Sequence, residues 1–163
     1  MEKIKLHDKT FKVMIPASEI DAAVERVAKQ LDERYKGRTP IFLGVLSGSF
    51  LFLSDLVRKI SFNSQVAFVK ISSYEGTESS GEVKQQLGIN FDIEGRDVII
   101  VEDIVETGHS MNYLLDYLKR RKPASISICT LFFKPEKFLY EYEIDYTALS
   151  IGNEFIVGYG LDY

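Results

Sequence analysis

A chain of 163 residues and 18.6 kDa is long enough to bury one sizeable core, so we expect a single domain over residues 1–163. Its net charge of -4 and isoelectric point of about 5.3 provide no overall positive field to gather nucleic acid or anionic lipid. We therefore expect no nucleic-acid partner and no membrane partner, and an anionic ligand has to be held by local groups.

Two further features indicate the compartment. The single cysteine, Cys129, lies in the apolar run SISICTLFF and is expected to be buried, reduced and without a disulfide. The first residues, MEKIKLHDKTF, lack the apolar core of a signal peptide, and no apolar stretch reaches the roughly 20 residues that cross a bilayer. These features favour a cytoplasmic protein.

The first elements expected along the chain are a short strand, FKVMI, and an amphipathic helix. The helix is predicted to begin with Ser18 as N-cap, with Asp21 three residues later, and to end at Gly37. Apolar residues recur between these points at steps of three and four, which gives the helix one buried face. The residues on that face are Ile20, Ala23, Val24, Val27 and Leu31.

Apolar runs alternate with helical stripes through the middle of the chain. The predicted strands are IFLGVL, QVAFVKI, DVIIV and SISICTLFF. The helical stripes are Leu53, Leu56, Val57 and Ile60, and then Met111, Leu114, Leu115 and Leu118. Strands that are apolar on both faces and alternate with amphipathic helices are typical of a parallel sheet covered on both sides, an α/β fold.

Two segments do not fit this alternation. The polar stretch SSYEGTESSGEVKQQ is predicted to be a mobile loop. The chain after Lys134, which is rich in tyrosine and phenylalanine, is predicted to form a separate lobe.

The stretch VIIVEDIVETGHSM brings the carboxylates of Glu102, Asp103 and Glu106 close together. Ligands of open α/β sheets lie at the carboxyl ends of the strands, which is where this stretch delivers Glu102 and Asp103. The following ETGHS lies between strand and helix, where backbone amides and the helix dipole favour an anion. Carboxylates are tolerated beside an anion when they face sugar hydroxyls or a hydrated Mg²⁺ of the same ligand. The sequence therefore predicts a ribose phosphate site.

Four residues of this stretch are candidates for the phosphate itself. Thr107 and Ser110 can donate hydroxyl hydrogen bonds, and Gly108 allows a close approach of the backbone. His109 contributes positive charge when it is protonated. In the alternative interpretation the carboxylates only cap a helix or face solvent, which explains single residues but not the whole string.

The same stretch resembles the phosphoribosyl diphosphate (PRPP) signature of the type I phosphoribosyltransferases. That signature is an apolar strand, two carboxylates, two apolar residues, Asp-Thr-Gly and a basic or small residue. Three other segments resemble the hypoxanthine-guanine branch of the family: GVLSGSFLFLSDL, SSYEGTESSGEVK, and FFKPEKF followed by GNEFIVGYGLDY. The resemblance implies the type I fold, a central parallel sheet flanked by helices. It places the core at about residues 17–133 and a small hood lobe at about residues 1–16 and 134–163.

The resemblance also implies an activity and a set of site residues. The reaction is transfer of 5-phosphoribosyl from PRPP to N9 of hypoxanthine or guanine, giving IMP or GMP and pyrophosphate, with Mg²⁺ as cofactor. The implied PRPP residues are Glu102, Asp103, Glu106, Thr107, Gly108, His109 and Ser110, with Glu106 as the catalytic base. The implied pyrophosphate residues are Ser47, Gly48 and Ser49, and the implied lid residues are Ser73 and Tyr74. The implied purine residues are Lys134, Phe155, Ile156 and Asp162, and the implied metal ligands are Glu102, Asp103 and Asp162.

Lys134 is expected to favour the binding of 6-oxopurines over that of adenine. An ammonium group donates to a 6-oxo group, whereas the amino group of adenine would meet it donor to donor and leave a buried charge unpaired. Transfer to xanthine or a pyrimidine, and a PRPP-sensing regulator without turnover, remain open as alternatives. Family members are dimers or tetramers, so a homodimer or homotetramer is expected. Three residues depart from the family pattern: Glu106 replaces the common aspartate, His109 replaces a lysine or arginine, and Ser47 replaces a lysine that some members have.

Overall fold

The computed structural model describes residues 3–76, 79–89 and 91–161, and the side chains of residues 72–87 lie outside that description. The strands are β1 (Lys3–Leu6), β2 (Lys9–Lys12), β3 (Ile41–Leu46), β4 (Gln65–Gly76), β5 (Ser79–Leu87), β6 (Asp97–Val105), β7 (Ser125–Phe133) and β8 (Tyr146–Ser150). The helices are α1 (Ala17–Tyr35), α2 (Phe50–Val57) and α3 (His109–Lys119). Helices and strands therefore alternate from α1 to β4 and again from β6 to β7, as the sequence predicts, whereas β4, β5 and β6 follow one another without a helix.

The main sheet has the strand order β5-β4-β3-β6-β7-β8. The strands from β4 to β8 in this order pair in parallel, and β5 pairs antiparallel with β4 at one edge. The predicted α/β fold with a parallel sheet is confirmed, and the antiparallel edge strand adds to it. Within the described residues, no helix is both long and apolar enough to cross a membrane.

The two faces of the sheet carry separate cores. On one face, side chains of α1 and α2 pack with alternate strand residues such as Phe42 and Ile99. On the other face, α3 packs with the intervening residues, such as Leu43 and Ile100. This arrangement explains why the central strands are apolar at every position rather than at every second one. Because β3 and β6 pair in parallel, the loops that follow these two strands emerge at the same end of the sheet, the end where both strands have their carboxyl termini.

Two predictions for the N-terminal part of the chain are wrong in detail. The predicted strand FKVMI lies too late in the sequence, because the chain pairs as a hairpin of β1 and β2 in a small sheet of its own. Ser18 is not the N-cap: α1 begins at Ala17, and the Pro16 carbonyl accepts the amides of Glu19 and Ile20 at 3.0 and 3.2 Å. Ser18 therefore lies inside the first turn of the helix.

Two larger predictions are wrong. The polar segment SSYEGTESSGEVKQQ was expected to be a loop, but most of it lies in β4 and β5, whose residues pair from Lys70 with Leu87 to Gly76 with Ser79. The chain after Lys134 is not wholly a separate lobe, because β8 returns to the main sheet and pairs with β7. Neither β5 nor β8 has the continuous apolar run of a central strand, because these two strands lie at the two edges of the sheet. The division into a single domain with a hood stays a prediction. Cys129 is buried and free, as expected.

Candidate functional site

Two loops lie side by side at the carboxyl ends of neighbouring parallel strands. Residues 47–49 join β3 to α2, and residues 106–108 join β6 to α3. β6 continues to Val105, so Glu102 and Asp103 lie within the last residues of the strand rather than beyond it. The strand pairing of β3 with β6 therefore brings together the two segments for which the sequence predicts pyrophosphate and ribose phosphate binding.

Gly48 is the point where the two loops touch. A Cβ atom on Gly48 would overlap the Oδ2 atom of Asp103 and would lie 2.7 Å from its Cγ. Gly160, near the C-terminus, approaches from another side, since a Cβ on Gly160 would lie 3.0 Å from the Gly48 carbonyl oxygen. The peptide bond between Leu46 and Ser47 is cis. The loop at Ser47–Ser49 is thus enclosed by the β6 carboxylate and by the C-terminal segment.

The two serines of this loop differ in their surroundings. Ser47 is exposed, whereas Ser49 is fully buried and its hydroxyl donates to the Val45 carbonyl at 2.7 Å. The Ser49 carbonyl accepts the amide of Leu53 at 2.8 Å as α2 begins. The hydroxyl of Ser49 is therefore engaged within the protein, and its predicted role in binding pyrophosphate has to come from the backbone.

The two β6 carboxylates are ordered by local hydrogen bonds. Glu102 Oε1 accepts the Asp103 amide at 3.0 Å, and Asp103 Oδ1 accepts the Ile104 amide at 2.8 Å. Glu102 is only 9% exposed. Burial raises the pKa of Glu102 well above its usual range, and the neighbouring Asp103 carboxylate raises it further.

These two carboxylates fit a magnesium ion only in part. Mg²⁺ is commonly held by one or two carboxylates, with waters and substrate oxygens completing its octahedron. Glu102 and Asp103 supply hard oxygen donors of that kind at the ligand end of the sheet. Among the described residues, no group of three or more His, Cys, Asp or Glu side chains is arranged to hold a metal by itself. Asp162, the third predicted ligand, lies outside the described residues.

Replacing Glu102 with glutamine is expected to stabilise the fold while weakening PRPP binding. A buried carboxyl with a raised pKa destabilises the folded state increasingly as pH rises from the usual glutamate value through the raised one. Glutamine lacks that charge, so the gain in melting temperature should be larger at pH 8 than at pH 5. Thermal unfolding in EDTA at both pH values measures it. A variant that melts below the wild type at pH 8 would contradict this account of the buried charge.

The phosphate loop, defined here as Glu106–Ser110, begins α3. Gly108 has φ of +91°, a conformation that favours glycine, and stands at the N-cap position of the helix. The His109 amide donates a long hydrogen bond to the Thr107 hydroxyl oxygen at 3.4 Å. His109 is exposed, and its Nδ1 atom lies 2.6 Å from the hydroxyl of Tyr140. The predicted phosphate residues are therefore contiguous at a helix N-terminus, where amides converge.

Two lysines contact the predicted catalytic base. Lys134 Nζ lies 3.2 Å from Glu106 Oε1, and Lys137 Nζ lies 3.6 Å from Glu106 Oε2. The side chain of Lys134 is only 4% exposed, whereas those of Glu106 and Lys137 are 41% and 40% exposed. The Lys134 amide also donates to the Val105 carbonyl at 3.0 Å, which ties the end of β7 to the end of β6. The residue predicted to read the base thus lies beside the residue predicted to take its proton.

The C-terminal segment carries an exposed ring, which contacts the N-terminal hairpin. Phe155 is 56% exposed, and its ring centroid lies 6.2 Å from that of Phe11 in the N-terminal hairpin. Lys9 Nζ lies 5.7 Å above the same ring. Ile156 packs against the core on the α1 and α2 face. The N-terminal hairpin therefore meets the C-terminal segment at Phe155.

Four residues near this site were not identified from the sequence. Lys137 contacts Glu106, and Tyr140 and Tyr142 contact the phosphate loop. Tyr159 donates a hydrogen bond to Asp55 of α2, the helix that follows the Ser47–Ser49 loop. The signal for the two tyrosines was present in the Tyr- and Phe-rich composition after Lys134, but a lobe apart from the sheet was the wrong interpretation of it.

Comparison with known proteins identifies the family. The family model described as a phosphoribosyl transferase domain matches residues 16–163. A hypoxanthine-guanine phosphoribosyltransferase from Streptococcus pyogenes is 44% identical over 153 residues, which are 93% of this chain and 85% of that protein. The chain belongs to the hypoxanthine-guanine phosphoribosyltransferase family. A crystal structure of a hypoxanthine phosphoribosyltransferase from Staphylococcus aureus superposes with a TM-score of 0.88 at 38% identity, covering 93% of this chain and 83% of that one.

Some relatives of this phosphoribosyltransferase chain are much longer. A bifunctional TilS/HprT protein from Listeria monocytogenes is 40% identical over 159 residues, which are 97% of this chain but 24% of that protein. The chain thus spans about a quarter of the length of that relative. The expected type I phosphoribosyltransferase fold is confirmed by these matches together with the parallel sheet.

Proposed function

We propose that this protein transfers the 5-phosphoribosyl group of PRPP to N9 of hypoxanthine or guanine, which gives IMP or GMP and pyrophosphate. The observation that carries the proposal is the convergence of two contacts at the carboxyl ends of β3, β6 and β7. Gly48 meets Asp103, and Lys134 meets Glu106. The first pair suits a sugar pyrophosphate, and the second suits a base that offers a 6-oxo acceptor and loses a proton. The relatives named above carry the same activity in their names.

Each group would act mainly by positioning its part of the substrates. The amides of the phosphate loop and its hydroxyls would hold the 5-phosphate, and the amides of residues 47–49 would hold the leaving pyrophosphate. Glu102 and Asp103 would accept hydrogen bonds from the ribose hydroxyls and hold Mg²⁺. Bound there, Mg²⁺ would neutralise charge on the departing pyrophosphate.

The purine would be held from three directions. Lys134 would donate to the 6-oxo group, the exposed ring of Phe155 would stack on the base, and Ile156 would offer its backbone to the base edge. Ser73 and Tyr74 in β4 are proposed to act in a lid that excludes water from the reacting sugar. Their side chains and the whole of Asp162 lie outside the described residues. Their roles therefore rest on the family resemblance.

Glu106 is proposed to accept the proton that the purine nitrogen loses on attacking the ribose. Replacement with glutamine keeps the shape but removes the acceptor, so we expect a fall in kcat of about 10-fold or more, with a small change in KM for PRPP. Single-turnover measurements isolate the chemical step. Glu106→Asp is the matched control, because it keeps the carboxylate and should keep most of the rate. An unchanged single-turnover rate in the glutamine variant would remove Glu106 from this role.

The proposed partners are small molecules: PRPP and a 6-oxopurine. We propose a cytoplasmic protein that assembles as a homodimer or homotetramer, in line with its family. Sedimentation velocity at micromolar concentration tests the assembly, and a monomer at all concentrations would contradict it.

The activity is tested by supplying each base separately. Purified protein, PRPP and Mg²⁺ are incubated with hypoxanthine, guanine, xanthine, adenine or uracil, and released pyrophosphate is measured. We expect turnover with hypoxanthine or guanine and none with adenine or uracil, and loss of turnover in excess EDTA. PRPP binding without product from any base would indicate a sensor, and turnover with xanthine or uracil alone would indicate another base specificity.

A further inference from the structure

Three aromatic rings of the segment between β7 and β8 pack against the phosphate loop. These rings, Phe138, Tyr140 and Tyr142, are called the aromatic cluster below. A Cβ on Gly108 would lie 2.5 Å from the Tyr142 hydroxyl, 2.7 Å from Phe138 Cε1 and 3.0 Å from Tyr140 Cδ2. The rings also pack on one another, with centroids 5.1 Å apart for Phe138 and Tyr142 and 5.5 Å apart for the two tyrosines. The cluster is one packed unit that touches the loop at its glycine.

Two hydrogen bonds from this segment fix the loop backbone. The Tyr142 hydroxyl donates to the Gly108 carbonyl at 2.6 Å, and the Leu139 amide donates to the Thr107 carbonyl at 3.0 Å. In a planar trans peptide the carbonyl and the following N–H point in opposite directions. Holding these two carbonyls therefore turns the amides of Gly108 and His109 away from the cluster. The His109 amide meets the Thr107 hydroxyl oxygen at 3.4 Å, and both amides are proposed to face the phosphate. Burial raises the pKa of Tyr142 above its usual range, so its hydroxyl keeps the proton it donates.

Tyr140 contacts a side chain of the phosphate loop rather than its backbone. Its hydroxyl lies 2.6 Å from His109 Nδ1, and the two rings meet edge to face at 5.5 Å and 87°. A neutral imidazole has one N–H donor and one acceptor nitrogen, and a hydrogen bond at one nitrogen determines which tautomer is present. When the tyrosine donates to Nδ1, Nε2 carries the proton. Nε2 is then a donor that suits an anion without requiring a charged ring.

We propose that Tyr140 and Tyr142 are positioning residues for the 5-phosphate. Tyr142 holds the Gly108 carbonyl so that the loop amides face the phosphate, and Tyr140 donates to His109 Nδ1 so that Nε2–H is offered to the phosphate. The assignment explains how this chain uses histidine where the family usually has lysine or arginine: a directed hydrogen bond replaces a charge. It rests on the proposed function, because it needs a nucleotide 5-phosphate at this loop.

Binding of IMP and of inosine by full-length variants tests the proposal. Inosine has the same base and ribose but no phosphate, so a loss confined to IMP reports the phosphate contacts alone. By calorimetry we expect Tyr140→Phe to weaken IMP binding about 5- to 10-fold, the range for one lost hydrogen bond, and to leave inosine binding within about 2-fold. Tyr142→Phe should show the same selectivity. Tyr117→Phe is the matched control: its hydroxyl accepts hydrogen bonds from the Ile89 amide and from Arg121, which lies beyond the end of α3, and the change should affect neither ligand.

A nitrogen NMR measurement separates positioning from support of the fold. The chain has two histidines, so a His7→Gln background leaves His109 alone in the spectrum of imidazole nitrogens. With IMP bound at pH 8, we expect the Nε2–H tautomer, and a mixture of tautomers after Tyr140→Phe. An Nδ1–H tautomer in the parent protein, or unchanged IMP binding by Tyr140→Phe, would overturn the proposal. Equal losses for IMP and inosine would also overturn it. A wild-type protein that binds neither PRPP nor IMP would instead refute the proposed function, and this inference with it.

Discussion

Replacing Lys134 with methionine is expected to lower kcat/KM for hypoxanthine by about 100-fold, the loss expected for one charged hydrogen bond to the 6-oxo group. The ammonium is buried, with 4% of the side chain exposed, so no water replaces it when it is removed. Methionine has a similar length and volume and introduces no buried charge, and Glu106 keeps Lys137 as a partner. The fold should therefore survive, and the KM for PRPP should stay within a few-fold of the wild type.

Discrimination between bases is the decisive readout for this variant. Removing the donor also removes the donor-to-donor conflict with adenine, so the preference for hypoxanthine over adenine should fall to within about 10-fold. Lys137→Met is the control, because it removes the other lysine beside Glu106 but leaves Lys134 in place. It should preserve the preference. A Lys134→Met enzyme that still rejects adenine would show that another group reads position 6.

The change of Gly48 to alanine is expected to lower kcat/KM for PRPP by about 100-fold, the cost of misplacing reacting groups by about 1 Å. A Cβ at Gly48 would overlap the Asp103 carboxylate, so either the Ser47–Ser49 loop or Asp103 must move. Gly48 is not among the glycines with positive φ, so alanine introduces no backbone strain of that kind. The loss should appear in PRPP affinity, measured by calorimetry, with hypoxanthine affinity for the free enzyme much less affected.

Gly37→Ala is the matched control for this variant. Gly37 has φ of +78° with nothing within 4 Å of an added Cβ, so alanine there is strained but has free space. We expect it to lose about 1 kcal/mol of stability and to bind PRPP normally. Normal PRPP binding by Gly48→Ala would show that the contact between the two loops is not part of the substrate site.

Periodicity in the sequence predicts the centre of this fold well. The strands IFLGVL and SISICTLFF are β3 and β7, and the stripe beginning at Met111 is α3. The helix is buried on one face and the two strands are buried on both faces, so the spacing of their apolar residues indicates which kind of element each one forms. The two edge strands, β5 and β8, were missed for the opposite reason. Their place is decided by backbone pairing with a neighbour, which composition does not record.

The candidate site likewise has one part that the sequence predicts and another part that it does not. The string from Glu102 to Ser110 is local, and its strand, loop and helix follow one another as the sequence indicates. Contacts between distant segments were not predictable, such as Gly48 with Asp103 or Tyr142 with Gly108. Those contacts depend on strand order and on where the chain returns after β7. Glu106 was identified as an acid of the loop, but its two lysine partners became visible only in three dimensions.

The most direct test of the account is a competition for limiting PRPP. One reaction contains protein, Mg²⁺ and equal concentrations of hypoxanthine, guanine, xanthine, adenine and uracil, and the nucleotides formed are separated by chromatography. We expect IMP and GMP, with AMP below about 1% of the total, because a buried ammonium that meets the amino group of adenine donor to donor discriminates by two or more orders of magnitude. AMP or UMP as the main product, or no nucleotide at all from an enzyme that binds PRPP, would contradict it.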